Sequence, residues 1–185
     1  MPMNWAAINN VEGNSNCRIL VGWNTRRLHV QCIHASDQWI TCDIRQISSA
    51  HVTRITFVYG SNNYGDRIAL WQYLGAESAT NASIPWSILG DFNAVLRPND
   101  RSGGSNIWQN YHNDFPNCIM GASLHQIPYS GTLQTIVPWC STWTIILQES
   151  KPLSSSLING LFMMISWPLW AAFGSKELMV TLFTN

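Results

Sequence analysis

Charge is scarce in this chain of 185 residues: Asp, Glu, Lys and Arg make up 11% of it, against roughly 25% of an average soluble protein. Ten basic residues balance ten acidic ones. That balance excludes a dedicated basic clamp for nucleic acid, because nonspecific duplex affinity rests on neutralising phosphates with Lys and Arg. It leaves open chemistry in which positive charge comes partly from a bound metal. Paired cysteines are also lacking. Cys17, Cys32, Cys42, Cys118 and Cys140 are five in number, widely spaced and without a CxxC pair, which excludes a zinc knuckle or a thioredoxin-type motif. Free thiols in a reducing compartment are expected instead. The five histidines, His29, His34, His51, His112 and His125, show no HxxxH or HExxH spacing, so no zinc site is expected. No G-x-G-x-x-G, P-loop or G-x-S-x-G occurs, which removes nucleotide-cofactor and serine-hydrolase readings. The opening Met1 to Trp5 has no basic segment leading into an apolar run. No signal peptide is therefore expected, and the location is read as intracellular, nuclear or cytoplasmic; the sequon Asn81-Ala82-Ser83 is then fortuitous.

What is abundant is apolar surface. Hydrophobic residues form 46% of the chain and ten are Trp. Few charges and many aromatics predict poor solubility. The charge is also uneven: sixteen charged side chains fall in the first 130 residues and only Glu149, Lys151, Lys176 and Glu177 thereafter. The domain expectation follows this shift, with residues 1–131 as a partial domain and 132–185 as a degenerate apolar tail. Within that tail, residues 152–175 carry no charge, close to the roughly 20 residues a membrane-spanning helix needs. Pro152, Asn159, Ser166 and Pro168 interrupt the run, so a spanning role is not expected.

Strand patterns dominate the first part. Arg18 to Trp23 is a short apolar run. Leu28, Val30 and Cys32 alternate with His29, Gln31 and Ile33; Ile40, Cys42 and Ile44 alternate with Thr41, Asp43 and Arg45; Thr53, Ile55, Phe57 and Tyr59 share a face. Period-two alternation between polar breaks is the half-buried strand pattern, and four such segments in a row predict an antiparallel meander. The period then changes: Ile68, Trp71 and Leu74 fall at helical spacing between Gly65 and Gly75, with Asp66 at the helix start, where the helix dipole favours an anion. Ile84 to Gly90 reads as a buried strand ending at a turn, residues 98–106 as a loop, and Trp108 to Ala122 as a helix that Pro116 breaks or kinks. Strands with interspersed helices predict an α+β or α/β sandwich.

The segment richest in chemistry is Ile88-Leu89-Gly90-Asp91-Phe92-Asn93. An apolar strand runs into glycine, then a carboxylate and a carboxamide two residues apart. Positions i and i+2 of an extended chain face the same way, so Asp91 and Asn93 would project together from a strand end. A carboxylate that handles a proton beside an amide that holds an oxygen suits a phosphodiester site. The same four residues equally suit a plain turn in which Asp91 and Asn93 bond local backbone.

The ordered set Thr56-Phe57-Val58-Tyr59-Gly60-Ser61-Asn62, Pro85 to Leu96 around Gly90-Asp91-Phe92-Asn93, Asp100-Arg101-Ser102-Gly103-Gly104 and Tyr129-Ser130-Gly131 resembles the endonuclease/exonuclease/phosphatase superfamily. More narrowly it is similar to the endonuclease-like region of plant LINE-type (non-LTR) retrotransposon polyproteins, over residues 17 to 131. The resemblance implies an α+β fold: a partial four-layer α/β sandwich of two packed, mainly antiparallel sheets flanked by helices, with N-terminal strands missing. It implies Mg²⁺-dependent hydrolysis of a phosphodiester and DNA as the partner. It makes Asp91 the catalytic aspartate that activates water or assists the leaving group. Asn93 would orient the scissile phosphate, and Tyr59 and Asn62 would line the phosphate site.

Three family features do not match. A metal-binding glutamate in a Gln-Glu-Thr/Ser-like motif has no counterpart, since Glu12 in Val11-Glu12-Gly13 follows no apolar strand. A Tyr-Thr-Trp and Leu-Asp-Arg pair is replaced by Thr132 to Val137 and by the serines of Lys151 to Asn159, and no histidine follows His125 to supply a Ser-Asp-His motif. The metal ligands therefore stay unknown, and the expectation is an endonuclease-like remnant without turnover, its C-terminal third frame-shifted or mis-spliced. The alternative is a non-enzymatic interaction or membrane-associating module with an apolar tail.

Overall fold

The computed structural model describes residues 4–11, 17–81, 83–100 and 107–126, together with two strands at 144–148 and 178–182. The loop at 101–106, the Tyr129-Ser130-Gly131 segment, Glu12 and the uncharged run 152–175 lie outside the described residues. Among the described residues no helix is long and apolar enough to cross a membrane.

The elements run β1 (Trp5–Asn9), β2 (Ile19–Asn24), β3 (Leu28–Ala35), β4 (Trp39–Gln46), β5 (Val52–Tyr59), α1 (Arg67–Thr80), β6 (Trp86–Asp91), α2 (Asp114–Gly121), β7 (Leu124–Gln126), β8 (Thr144–Gln148) and β9 (Leu178–Leu182). Among the described residues two sheets form, a three-stranded one in the order β1-β2-β9 and a six-stranded one in the order β3-β4-β5-β6-β8-β7. The fold is α+β: two packed sheets with helices, antiparallel throughout except where β5 and β6 run parallel across the α1 crossover. The predicted meander is real for β3, β4 and β5. The Arg18–Trp23 run does not join it. As β2 it pairs with β1 and with β9, partners that carry no nearby alternation to reveal them. Strands β8 and β9 come from the charge-poor stretch after residue 131 and lie in the larger and the smaller sheet respectively.

Alternation sends the two faces of the large sheet to two cores. Ile40, Cys42, Ile44, Ile55, Phe57, Tyr59 and Leu89 pack toward Ile19 and Val21 of the small sheet. Trp39, Val58, Trp86 and Ile88 pack on the other side against Leu70 and Leu74 of α1 and Phe115 and Ile119 of α2. The described layers are therefore small sheet, large sheet and helices. Strand β6 is buried at all six positions, as expected of a strand covered on both faces.

Helix α1 runs past Gly75 to Thr80. A solvent-facing glycine costs a helix only about 1 kcal/mol relative to alanine, and the burial of Leu70 and Leu74 outweighs it. The buried stripe is Arg67, Leu70 and Leu74, with Ile68 exposed, one position away from the Ile68-Trp71-Leu74 face read from spacing. Pro116 does not break α2. A 3-10 turn at Asn110–Asn113 leads into the helix, and Pro116 falls in its first turn, where the missing N–H has no intrahelical acceptor to lose.

Arg54 on β5 ties sheet to helix. Its Nε and Nη2 donate to both oxygens of Asp43 at 2.7 and 2.8 Å, and its Nη1 donates to Glu77 of α1. Beneath it runs a buried polar chain: the Tyr73 hydroxyl donates to Thr41 Oγ1 at 2.6 Å, Thr41 and Thr56 share a hydrogen bond of 2.8 Å, and Trp86 Nε1 donates to Thr56 Oγ1 at 2.9 Å. Burial pushes the Tyr73 phenol from 10.0 up to about 12, and the Cys42 and Cys118 thiols from 9.0 up to about 12 and about 11. These groups hold their protons more tightly folded than unfolded. Their contribution to stability is whole below pH 9 and is lost as pH climbs toward 12. Urea unfolding is expected to show a midpoint that falls between about pH 8 and about pH 11, with a shallower fall in Tyr73→Phe; a flat profile would show that these burials carry no proton linkage.

Candidate functional site

The site forms where β5 and β6 end side by side. Parallel pairing places Tyr59 opposite Asp91, on the face turned toward the small sheet. Two glycines let the strand ends close together. A Cβ on Gly60 would lie 2.4 Å from the Phe92 carbonyl oxygen, and Gly90, at φ +147°, has the Val58 carbonyl oxygen 1.9 Å from where a Cβ would stand. Gly60 N then donates to Asp91 O at 2.7 Å.

Asp91 ends the strand and is buried. Asn93 does not continue it in extended form; its φ is +47°, the left-handed conformation that asparagine tolerates better than most residues. Two hydrogen bonds enforce this geometry: Asn93 N donates to Asp91 Oδ1 at 2.9 Å, and Asn93 Nδ2 donates to Gly60 O at 2.7 Å. The first is the local side-chain-to-backbone bond of an Asx turn. Asp91 and Asn93 are therefore set side by side by a turn and not by the extended i, i+2 geometry expected from the sequence.

Tyr59 is hydrogen-bonded to Asn93 through its side chain, and its ring lies under the Arg18 guanidinium, 5.7 Å from the ring centroid. Burial, then the charge of Asp91, raises its phenol pKa. At neutral pH Tyr59 is therefore an O–H group, able to donate to an anion.

The loop between β5 and α1 is braced from several sides. Gln38 is buried; its Oε1 accepts from Ser61 N at 2.8 Å and its Nε2 donates to Asp66 O at 2.9 Å. Ser61 Oγ donates to Asp66 Oδ2 at 3.0 Å, and Gly65 N donates to Asn63 Oδ1 at 2.9 Å. Asp66 thus serves the loop and makes no side-chain cap on α1. Arg67 is 8% exposed and donates from Nη1 to the carbonyls of Ser61 at 2.8 Å and Asn62 at 3.4 Å. Burial lowers its pKa, opposed by Tyr111, Asp114, Asp66 and Asp91; an arginine so placed stays a cation.

These pieces wall a cleft of about 300 Å³ lined by Asn62, Tyr64, Arg67, Trp71, Asp91 and Asn93 with Ala94, Val95 and the Tyr111–Phe115 region. Of the residues singled out in the sequence, Asn62, Asp91 and Asn93 meet here. Tyr59 does not line the cleft and reaches it through Asn93. Arg67, Tyr64, Tyr111, His112 and Asp114 were not singled out. Arg67 occupies a helical position where an apolar residue is expected and Tyr64 sits in the loop before α1; Tyr111, His112 and Asp114 arrive from the 3-10 turn and α2 by packing of Phe115 on Trp71 and Phe92, with ring centroids 4.9 and 4.8 Å apart.

Mg²⁺ is held in proteins by one or two carboxylates in octahedral geometry, completed by water and substrate phosphate. Asp91 has one oxygen committed to Asn93 N. Among the described residues no three His, Cys, Asp or Glu side chains converge, so the described donor set does not fit a metal held mainly by protein.

The architecture is an α+β one of two packed sheets with helices, and solved structures share it. The chain superposes on the endonuclease domain of TRAS1, a telomere-specific non-LTR retrotransposon, with a TM-score of 0.60 over 96% of this chain and 77% of that one, at 11% identity. It also matches the human Nocturnin catalytic domain with a bound sulfate anion, at TM-score 0.45, 14% identity, and 80% and 61% coverage. The first likeness shows the fold. No family model and no curated protein matches the sequence.

Proposed function

We propose that this chain is a retroelement-derived, endonuclease-like domain of the plant LINE type, acting inside the cell, that holds a DNA phosphodiester at the Asp91–Asn93 end of its cleft and does not hydrolyse it at an enzyme's rate. The observation that carries the binding half is the convergence of Asn62, Asp91 and Asn93 on one cleft from two separate segments, with Tyr59 bonded to Asn93. Tyr59 braces the Asn93 side chain from outside the cleft, and Asn93, Asn62 and Arg67 line it, Arg67 with the cleft's buried positive charge. Such preorganised donors suit an anionic oxygen. The half that denies turnover is supported by the donor set. Asp91, tied into a turn, and Asp114 are the carboxylates that line the cleft, and no three His, Cys, Asp or Glu side chains converge among the described residues; such a set lacks the groups that fix a metal and activate water. Losing single members of such constellations costs factors of about 10² to 10⁴.

The test is nicking of supercoiled plasmid by the full chain in Mg²⁺ against EDTA, beside Asp91→Ala, with binding of a short oligonucleotide followed in parallel. Binding without nicking is expected. Mg²⁺-dependent nicking that disappears in Asp91→Ala would overturn the inactive reading and show a complete catalytic site.

A further inference from the structure

Tyr64 is a large aromatic side chain left 53% exposed at the mouth of the cleft. It is not loosely held. Its ring stacks on Tyr111, centroids 4.5 Å apart and planes 17° from parallel. The series continues through Tyr111 on His112, centroids 4.2 Å apart, and His112 on Trp108, 4.9 Å apart. Two elements distant in the chain build this rim: the loop before α1, braced by Gln38, Asn63, Asp66 and Arg67, and the 3-10 turn before α2. Tyr64, Tyr111 and His112 line the same cleft as Asn62, Asp91 and Asn93.

A contact that served only to close the loop onto the turn would bury its rings; here the outermost ring keeps more than half its surface in water. Loop-ordering hydrogen bonds fix that ring in advance, so a flat ligand would meet it without ordering cost. We propose that Tyr64 and Tyr111 form a stacking shelf for an unpaired nucleobase of the strand whose phosphodiester lies beside Asp91 and Asn93. The inference rests on the phosphodiester reading of the adjacent site and names what flanks it. Base–aromatic stacking tolerates any sequence, because every base offers a π-face. It also answers a problem posed by the composition. A chain with ten basic and ten acidic residues cannot draw much affinity from counterion release, so stacking carries the larger share and binding depends only weakly on salt.

The experiment titrates the full chain, in EDTA, with a fluorescent single-stranded oligodeoxynucleotide and with an abasic strand of the same length, at low and moderate salt. The base-bearing strand is expected to bind about 5-fold to 150-fold tighter than the abasic one, the span for stacking one base. Tyr64→Ala should erase the difference and Tyr64→Trp should keep it; exposure of Tyr64 leaves the fold intact in both, which circular dichroism checks. Equal affinity for the two strands, or a Tyr64→Ala variant that still discriminates, would overturn the shelf while leaving the phosphodiester reading standing. Failure of the folded protein to bind either strand would overturn both.

Discussion

Gly90→Ala is expected to yield no folded protein. At φ +147° the backbone sits where only glycine is comfortable, because any Cβ meets neighbouring backbone. Here the neighbour is explicit: the Val58 carbonyl oxygen lies 1.9 Å from the site of the added carbon, with Val58 C and N inside 3 Å. No flexible side chain can move aside, since the obstruction is the adjacent strand of the same sheet. Relief requires parting β5 from β6, the parallel pair that carries Tyr59, Gly60 and Asp91 in register. The strained backbone alone costs about 1–3 kcal/mol, and breaking a central, largely buried strand pair adds more, enough to exhaust the roughly 5–15 kcal/mol of a typical domain when combined with lost packing. Far-UV circular dichroism and urea unfolding of the variant would show it. A wild-type midpoint would mean that β5 and β6 do not approach as described. Gly60→Ala meets the Phe92 carbonyl at 2.4 Å without a positive φ and is expected to destabilise less.

Those two glycines explain how much of the site was legible. They stand in the two segments, Tyr59-Gly60-Ser61-Asn62 and Gly90-Asp91-Phe92-Asn93, that carry the resemblance. Strand ends closing together demand glycine, so the requirement leaves a mark on the sequence. Alternation revealed β4 and β5 because each face of those strands sees a different core, and edge strand β3 because Leu28 and Val30 turn to one core while His29 and Gln31 face away. What stayed hidden arises from long-range packing. Nothing near Arg18–Trp23 announces that its partners are Trp5–Asn9 and Leu178–Leu182. Nothing around Asn110–Asn113 announces that Tyr111 will stack on Tyr64, because the link is made by Phe115 seating between Trp71 and Phe92. Gln38, in a short connection between β3 and β4, reads as an ordinary polar loop residue, yet it is buried and clamps both ends of the loop that presents Asn62 and Tyr64.

Arg67 is the plainest example of such hidden function, and its removal carries the second large effect. In Arg67→Met the side chain keeps its length and can refill the packing beside Leu70, but it cannot donate. The part-buried Ser61 carbonyl, bonded at 2.8 Å in the parent, loses a charged partner, and a hydrogen bond to a charged group contributes about 1.5–3 kcal/mol. The loop that Arg67 holds is the one carrying Asn62 and Tyr64, so preorganisation is lost with stability. The cleft also loses the cation that faces Asp91 and Asp114, leaving two carboxylates to repel an incoming phosphate. The urea midpoint is expected to fall by the equivalent of about 2 kcal/mol, and affinity for a single-stranded oligonucleotide at low salt by about tenfold or more, since a charged hydrogen-bonding partner contributes at that scale. Arg67→Lys separates the two effects. It restores positive charge without the guanidinium fork, so binding should recover further than stability does. If Arg67→Met unfolds and binds as the parent does, the buried guanidinium neither braces the loop nor serves the cleft, and the electrostatic part of the proposed phosphodiester site fails.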